Sequence, residues 1–145
     1  MTTLLVDTSV LVKWFHSEGE GEVAEARAIR DANRRGDLDA HIIDLALYEV
    51  GNVLLRALRW AASDVADQLE DLIEICGGPL VMAPGWVREA AVLGSAHQLT
   101  FYDAAWAAAA QALGVSLVSA DSRLVAAGLA ESPTAIVKRL GLQRP

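Results

Sequence analysis

Four carboxylates stand at the end of a short apolar run or inside a helical segment. Asp7 follows Leu4-Leu5-Val6, and Asp121 follows Leu117-Val118-Ser119-Ala120. Asp103 opens the alanine-rich segment Tyr102 to Leu113, and Glu49 lies inside the helical run Asp44 to Leu58. Carboxylates gathered in one place repel, and a divalent cation with oxygen ligands relieves that repulsion. Such a cation polarises phosphate oxygens and makes water more acidic, so the chemistry suggested is attack on a phosphate ester. Each acid also has an ordinary structural use. Asp7 and Asp121 could cap helices, Asp103 could serve the helix start after Thr100, and Glu49 could face solvent.

The elements that would carry these acids can be read along the chain. Leu4 to Val6 is a buried strand, and Thr8 or Ser9 can cap a helix from Val10 to about Phe15. A second helix spans Val23 to Arg35, with Ala24, Ala28 and Ile29 inward and Arg27, Arg30 and Arg34 outward. His41 to Ile43 is a second strand. Asp44 then caps a long helix whose apolar face is Leu47, Val50, Leu54 and Leu58. Ser63 to Ile75 is amphipathic, with Val65, Leu69, Leu72 and Ile73 inward, and Gly77-Gly78-Pro79 stops it. Leu80 to Met82 is a short third strand, and Trp86 to Leu99 a helix. Thr100 caps the next helix, which Gly114 ends, and Ser116 to Val118 is a fourth strand. Asp121 or Ser122 starts a short helix to Ala127, and Thr134 to Val137 is a candidate fifth strand.

Strands alternating with helices imply an α/β fold, with a mostly parallel sheet of four or five strands covered on both faces. Ligands of such sheets bind outside the carboxyl ends of the strands, where strand order reverses. Asp7 and Asp121 both have that address. Glu49 shares a polar stripe with Asn52, Arg56 and Arg59, distinct from the apolar face of its helix. The stripe could place a metal ligand at its start and guanidinium groups for phosphate further along, or it could be a solvated face.

Bulk properties bound these readings. A chain of 145 residues, 53% hydrophobic, predicts one domain over residues 1–145 with a real core. The single cysteine, Cys76, excludes an internal disulfide, suits a reducing compartment, and reads as a small buried apolar residue. The N-terminus lacks a basic segment and its apolar run carries Asp7, unlike a signal peptide. No run reaches the roughly 18 apolar residues of a membrane span, so a cytoplasmic protein with no membrane association is expected. A net charge of −7 argues against a broad basic surface for nucleic acid but is compatible with a nuclease whose site acids bind metal.

In order, Val6-Asp7-Thr8-Ser9-Val10, Glu49-Val50-Gly51-Asn52-Val53-Leu54, Tyr102-Asp103-Ala104 and Leu117-Val118-Ser119-Ala120-Asp121 resemble the motifs of PIN domains. Among PIN domains they resemble the VapC toxins of bacterial toxin–antitoxin pairs, over nearly the whole chain. The resemblance implies a PIN-like three-layer fold and Mg²⁺- or Mn²⁺-dependent endoribonuclease activity. It also implies a cognate VapB-type antitoxin that blocks the site, and a homodimer. Asp7, Glu49, Asp103 and Asp121 match the family's acidic positions. Ser9 and Ser119 match hydroxyl residues that support them, and Asn52 matches a polar residue after the glutamate. RNA as the substrate is an implication of the family, because attack by a metal-activated water makes no use of the 2′-hydroxyl.

Several further residues bear on the site. Lys13, Arg56 and Arg59 are candidate RNA contacts, and Glu18, Glu20 and Glu22 could crowd the cleft mouth. Trp14 and Phe15 could line a groove for an antitoxin segment or pack in the core. His16, His41 and His97 lack metal-ligand spacing. A phosphatase with an aspartate nucleophile would usually carry a second acid two residues on, where this chain has Ser9. A catalytically silent PIN-like module that binds RNA or protein is the other alternative, and the complete acid set argues against it.

Overall fold

The architecture was analysed in a computed structural model that describes residues 1–143. Its elements, in chain order, are β1 (Thr2–Val6), α1 (Thr8–Leu11) continued by a 3₁₀ turn (Val12–Trp14), α2 (Val23–Arg35), β2 (Leu38–His41) and α3 (Leu45–Asn52). A π-helical segment (Val53–Ala57) extends α3, and α4 (Ala62–Cys76), α5 (Pro84–His97), α6 (Phe101–Leu113), β3 (Ser116–Val118), α7 (Ser122–Ala126) and α8 (Pro133–Leu140) follow.

The sheet has the order β2-β1-β3 and both pairings are parallel. Leu4 stands opposite Ala40 on one side and Ser116 on the other. Because helices cover both faces, Leu4, Leu5 and Val6 are all completely buried, which explains an unbroken apolar run instead of alternation. The chain crosses first to one side of β1 and later to the other, so the strand order reverses at β1. α6 is buried from Ala104 to Ala110, and its alanines let it pack closely on α5 and β3.

The sheet is smaller than the four or five strands expected. Leu80 makes one parallel bridge with Ile43, closed by Asp44 N–H to Leu80 O and Leu80 N–H to Ile42 O, both at 2.8 Å. Val81 turns outward, 73% exposed, and Pro84 already starts the next helix, which leaves no length for a strand. Thr134 to Val137 is helical. Ser132 accepts a hydrogen bond from Ala135 N–H and Pro133 occupies the first turn, a start signal that overrides the β-branched residues behind it. Glu131 takes the place beside β3 through a single bridge to Val118.

Other expectations shift by smaller amounts. α1 starts at Thr8, and Asp7 is its cap. On α2 the buried face is Ala26, Ala28, Ile29 and Ala32, whereas Ala24 is exposed. Arg27 and Arg30 do not point simply to solvent: they donate to the carbonyls of Lys13 and Trp14, which closes the 3₁₀ turn. On α4 Ile73 is turned outward, at 37% exposed. Trp14 is core, with its indole N–H on Ala26 O at 2.9 Å, so it is not open as a groove lining, whereas Phe15 is half-buried and edge-on against Trp60. Cys76 is buried, and burial pushes its thiol up to about 12, as expected of an inert core cysteine.

Asn33 ties three elements together. Its amide donates to Ile75 O at the end of α4 and its carbonyl accepts Ala40 N–H from β2. Asn33→Ala leaves both backbone groups without a partner, so urea titration should show a loss of about 1–3 kcal/mol. Unchanged stability would show that solvent replaces the amide.

Candidate active site

Backbone pairing builds the site first. Asp7 N–H donates to Val118 O at 3.1 Å, which carries the β1–β3 ladder one residue past each strand. The chain then turns away on both sides, and each turn is capped by an acid. Asp7 accepts from Ser9 N–H, and Asp121 accepts from Arg123 N–H. The ordinary capping use and the location at the sheet edge therefore coexist.

Two serines cross-tie these turns. The Ser9 hydroxyl donates to Asp7 Oδ1 and accepts Ala120 N–H at 2.9 Å. The Ser119 hydroxyl accepts Asp121 N–H at 3.0 Å and lies 3.4 Å from Ser9 Oγ. Ser9 and Ser119 thus hold the two acid-bearing turns in register.

Asp7, Glu49, Asp103 and Asp121 all line one cleft of about 460 Å³, with Thr8, Ser9, Lys13, Glu20 and Trp106 among its other walls. Their environments differ. Asp7 is only 4% exposed, and burial pushes its carboxyl up to about 6, although the hydroxyls of Ser119 and Ser9 pull the other way. Asp103 is also raised, by desolvation and then by the charge of Asp121, against the opposing pull of Arg123. Asp121 is lowered, chiefly by its hydrogen bond from Arg123.

Arg123 spans the last two acids. Its guanidinium lies 3.1 Å from Asp121 Oδ2 and 3.3 Å from Asp103 Oδ2. Glu49 is held elsewhere: its Oε1 accepts the Thr8 hydroxyl at 2.9 Å and the Trp106 indole N–H at 3.0 Å. With the acids so engaged, no three His, Cys, Asp or Glu side chains among the described residues stand close enough to hold an ion together.

The remaining candidates divide. Lys13 lines the cleft but is buried and paired with Glu20 at 2.9 Å. Glu22 lies in the left-handed region and accepts from the Thr134 N–H and hydroxyl, so of the three expected mouth acids only Glu20 lines the cleft. Asn52, Arg56 and Arg59 are exposed and are not part of the cleft lining. Their expected stripe is broken because the backbone after Asn52 is π-helical, with Leu58 N–H on Val53 O, and Arg59 has a positive φ of 57°. The sequence reading missed Thr8, Trp106 and Arg123 as parts of the site. Trp106 lies one helical turn after Asp103 and Arg123 two residues after Asp121, and those spacings were the available signals.

Residues 4–129 match the model of the PIN domain family. The chain belongs to the PIN-domain family. A curated relative, Ribonuclease VapC3 of Pyrobaculum aerophilum, is 33% identical over 125 residues, which covers 83% of this chain and 91% of the relative. The crystal structure of PAE2754 from Pyrobaculum aerophilum superposes with a TM-score of 0.66 at 27% identity, covering 97% of each chain. The structure of FitAB bound to the IR36 DNA fragment gives a TM-score of 0.68 at 17% identity, over 90% of this chain and 94% of that one, and shares the fold. The PIN domain and VapC resemblance read from four ordered motifs is borne out.

The Asp7 environment has a measurable consequence. A buried acid whose pKa rises on folding favours the folded state when protonated. Its cost is absent below pH 3.8, grows through about 6, and is complete above that. The size of the rise corresponds to about 3 kcal/mol at neutral pH as an upper bound. Asp7→Asn should therefore melt at a higher temperature than the parent at pH 7.5 without divalent cations, with the gap closing towards pH 4. A variant less stable than the parent at pH 7.5 would contradict this.

Proposed function

We propose that this chain is a Mg²⁺- or Mn²⁺-dependent endoribonuclease and the toxin of a toxin–antitoxin pair, built as one PIN domain over residues 1–145 and working in the cytoplasm. The observation that carries the reading is the convergence of Asp7, Glu49, Asp103 and Asp121 on one cleft beyond the carboxyl ends of β1 and β3. The name of the VapC3 relative supplies RNA as the substrate class. Among the described residues no helix is long and apolar enough to cross a membrane.

The donor set suits a hard divalent cation. All the candidate ligands are carboxylate oxygens, the choice of Mg²⁺ and Mn²⁺. Arg123 also marks the ground between Asp103 and Asp121 as a place where positive charge is stable. A divalent cation held by these carboxylates would supply polarisation of the scissile phosphate and a more acidic water. The chain's own residues do the rest. Ser9 and Ser119 orient the Asp7 and Asp121 turns, and a cleft carboxylate takes the proton of the attacking water. The water oxygen bonds to phosphorus as the bond to one ester oxygen breaks, leaving a phosphate on one fragment and a hydroxyl on the other. The exposed Arg56 and Arg59 outside the cleft, and Lys13 at its wall once released from Glu20, are the cations offered to the RNA backbone.

We assign the partners as a cognate antitoxin and a second copy of the chain. Tyr48 and Tyr102 each adjoin a cleft acid in sequence, and with Phe101 they present exposed aromatic surface suited to protein contact. In a cleavage assay with single-stranded RNA, the parent should require Mg²⁺ or Mn²⁺ and stop on addition of EDTA. Asp7→Asn and Asp103→Asn should each lose activity by on the order of a hundredfold or more. Undiminished cleavage by either purified variant would contradict the assignment.

A further inference from the structure

Of the four acids matched to the family, Glu49 is the one that neither caps a helix nor pairs with Arg123. Both donors it receives fall on the same oxygen. The Thr8 hydroxyl and the Trp106 indole N–H lie 2.9 and 3.0 Å from Oε1. A carboxylate oxygen has two lone-pair directions, so this atom is saturated. No donor of the described residues reaches Oε2.

The two donors come from different places. Thr8 follows Asp7 at the end of β1, and Trp106 sits on α6 one turn beyond Asp103. Trp106 is 1% exposed, and a buried indole N–H needs an acceptor. Glu49 itself is carried by α3, whose last turn gives way to the π-helical segment at Val53. The two hydrogen bonds therefore lock the glutamate of one element to the elements that carry two other acids.

We propose that Thr8 and Trp106 are positioning residues that clamp Glu49 by Oε1, so that it meets a divalent cation in the cleft through Oε2 alone. This rests on the nuclease reading above and adds to it the means by which Glu49 is aimed. Free rotation of the carboxylate would let it present either oxygen, or fold back along α3. The clamp removes that freedom before any cation arrives, which lowers the ordering cost of binding.

The test compares Thr8→Val, Thr8→Ser and Trp106→Phe in the full chain. Thr8→Val keeps shape and loses the donor; Thr8→Ser keeps the donor. Mn²⁺ affinity, measured by calorimetry and by the electron paramagnetic resonance signal of free Mn²⁺, should weaken about tenfold in Thr8→Val and Trp106→Phe. It should stay within about twofold in Thr8→Ser, since the hydroxyl is retained. With RNA, kcat at fixed Mn²⁺ should fall in the same order with KM for RNA unchanged. If Trp106→Phe does not fold, the Thr8 pair alone decides. Parent-like Mn²⁺ affinity in Thr8→Val, or an equal loss in Thr8→Ser, overturns the clamp while the parent's metal-dependent cleavage keeps the function standing. A parent that neither binds Mn²⁺ nor cleaves RNA overturns both.

Discussion

The parallel pairing of β1 with β3 is the constraint from which the rest of the site follows. It sets Asp7 N–H on Val118 O and so brings two chain turns, separated by more than a hundred residues, to the same edge of the sheet. Parallel strands require helical crossovers, and those crossovers bury both faces and leave only the strand ends open to water. Glu49 and Asp103 reach the same edge because α3 packs on α1, which starts there, and α6 packs on β3. The serines then convert adjacency into register, since the Ser9 hydroxyl donates its proton to Asp7 and accepts Ala120 N–H on a lone pair.

Gathering carboxylates in this way is unfavourable to folding, and the molecule shows how the strain is distributed. Asp7 carries the desolvation cost, visible in its raised pKa. Asp103 and Asp121 are relieved by one guanidinium whose side chain is largely in solvent, where water screens an ion pair and it can be given up. Glu49 is held on one oxygen by two neutral donors. Each of the four acids thus has a neutral or solvent-exposed partner. Such a trade of stability for function is expected where like charges must be kept together.

Much of this was legible in the sequence, and the limits were physical. The four acids are readable because each occupies a position with a local mark: a strand end, a cap, or a helical stripe. α2 and α6 were readable from end to end because their periodicity and their αL glycines, Gly36 and Gly114, agree. The fifth strand failed because Ser132-Pro133 is a stronger signal than the β-branched residues after it. The Glu49–Arg59 stripe failed because spacing rules assume a constant helical pitch, and the backbone widens to π geometry after Asn52. The pairings of Trp106 with Glu49 and of Arg123 with Asp103 were missed because a contact between different elements leaves no spacing to read.

The central claim is that these acids form one cation site between the ends of β1 and β3. Crystals soaked in Mn²⁺ and measured at the manganese absorption edge test it most directly. The account predicts an anomalous peak in the cleft within coordination distance of Asp7 and at least one of Glu49, Asp103 and Asp121, with Arg123 turned away from one of its two carboxylates. A fully soaked crystal with no peak in the cleft, and Arg123 still spanning Asp103 and Asp121, would contradict it.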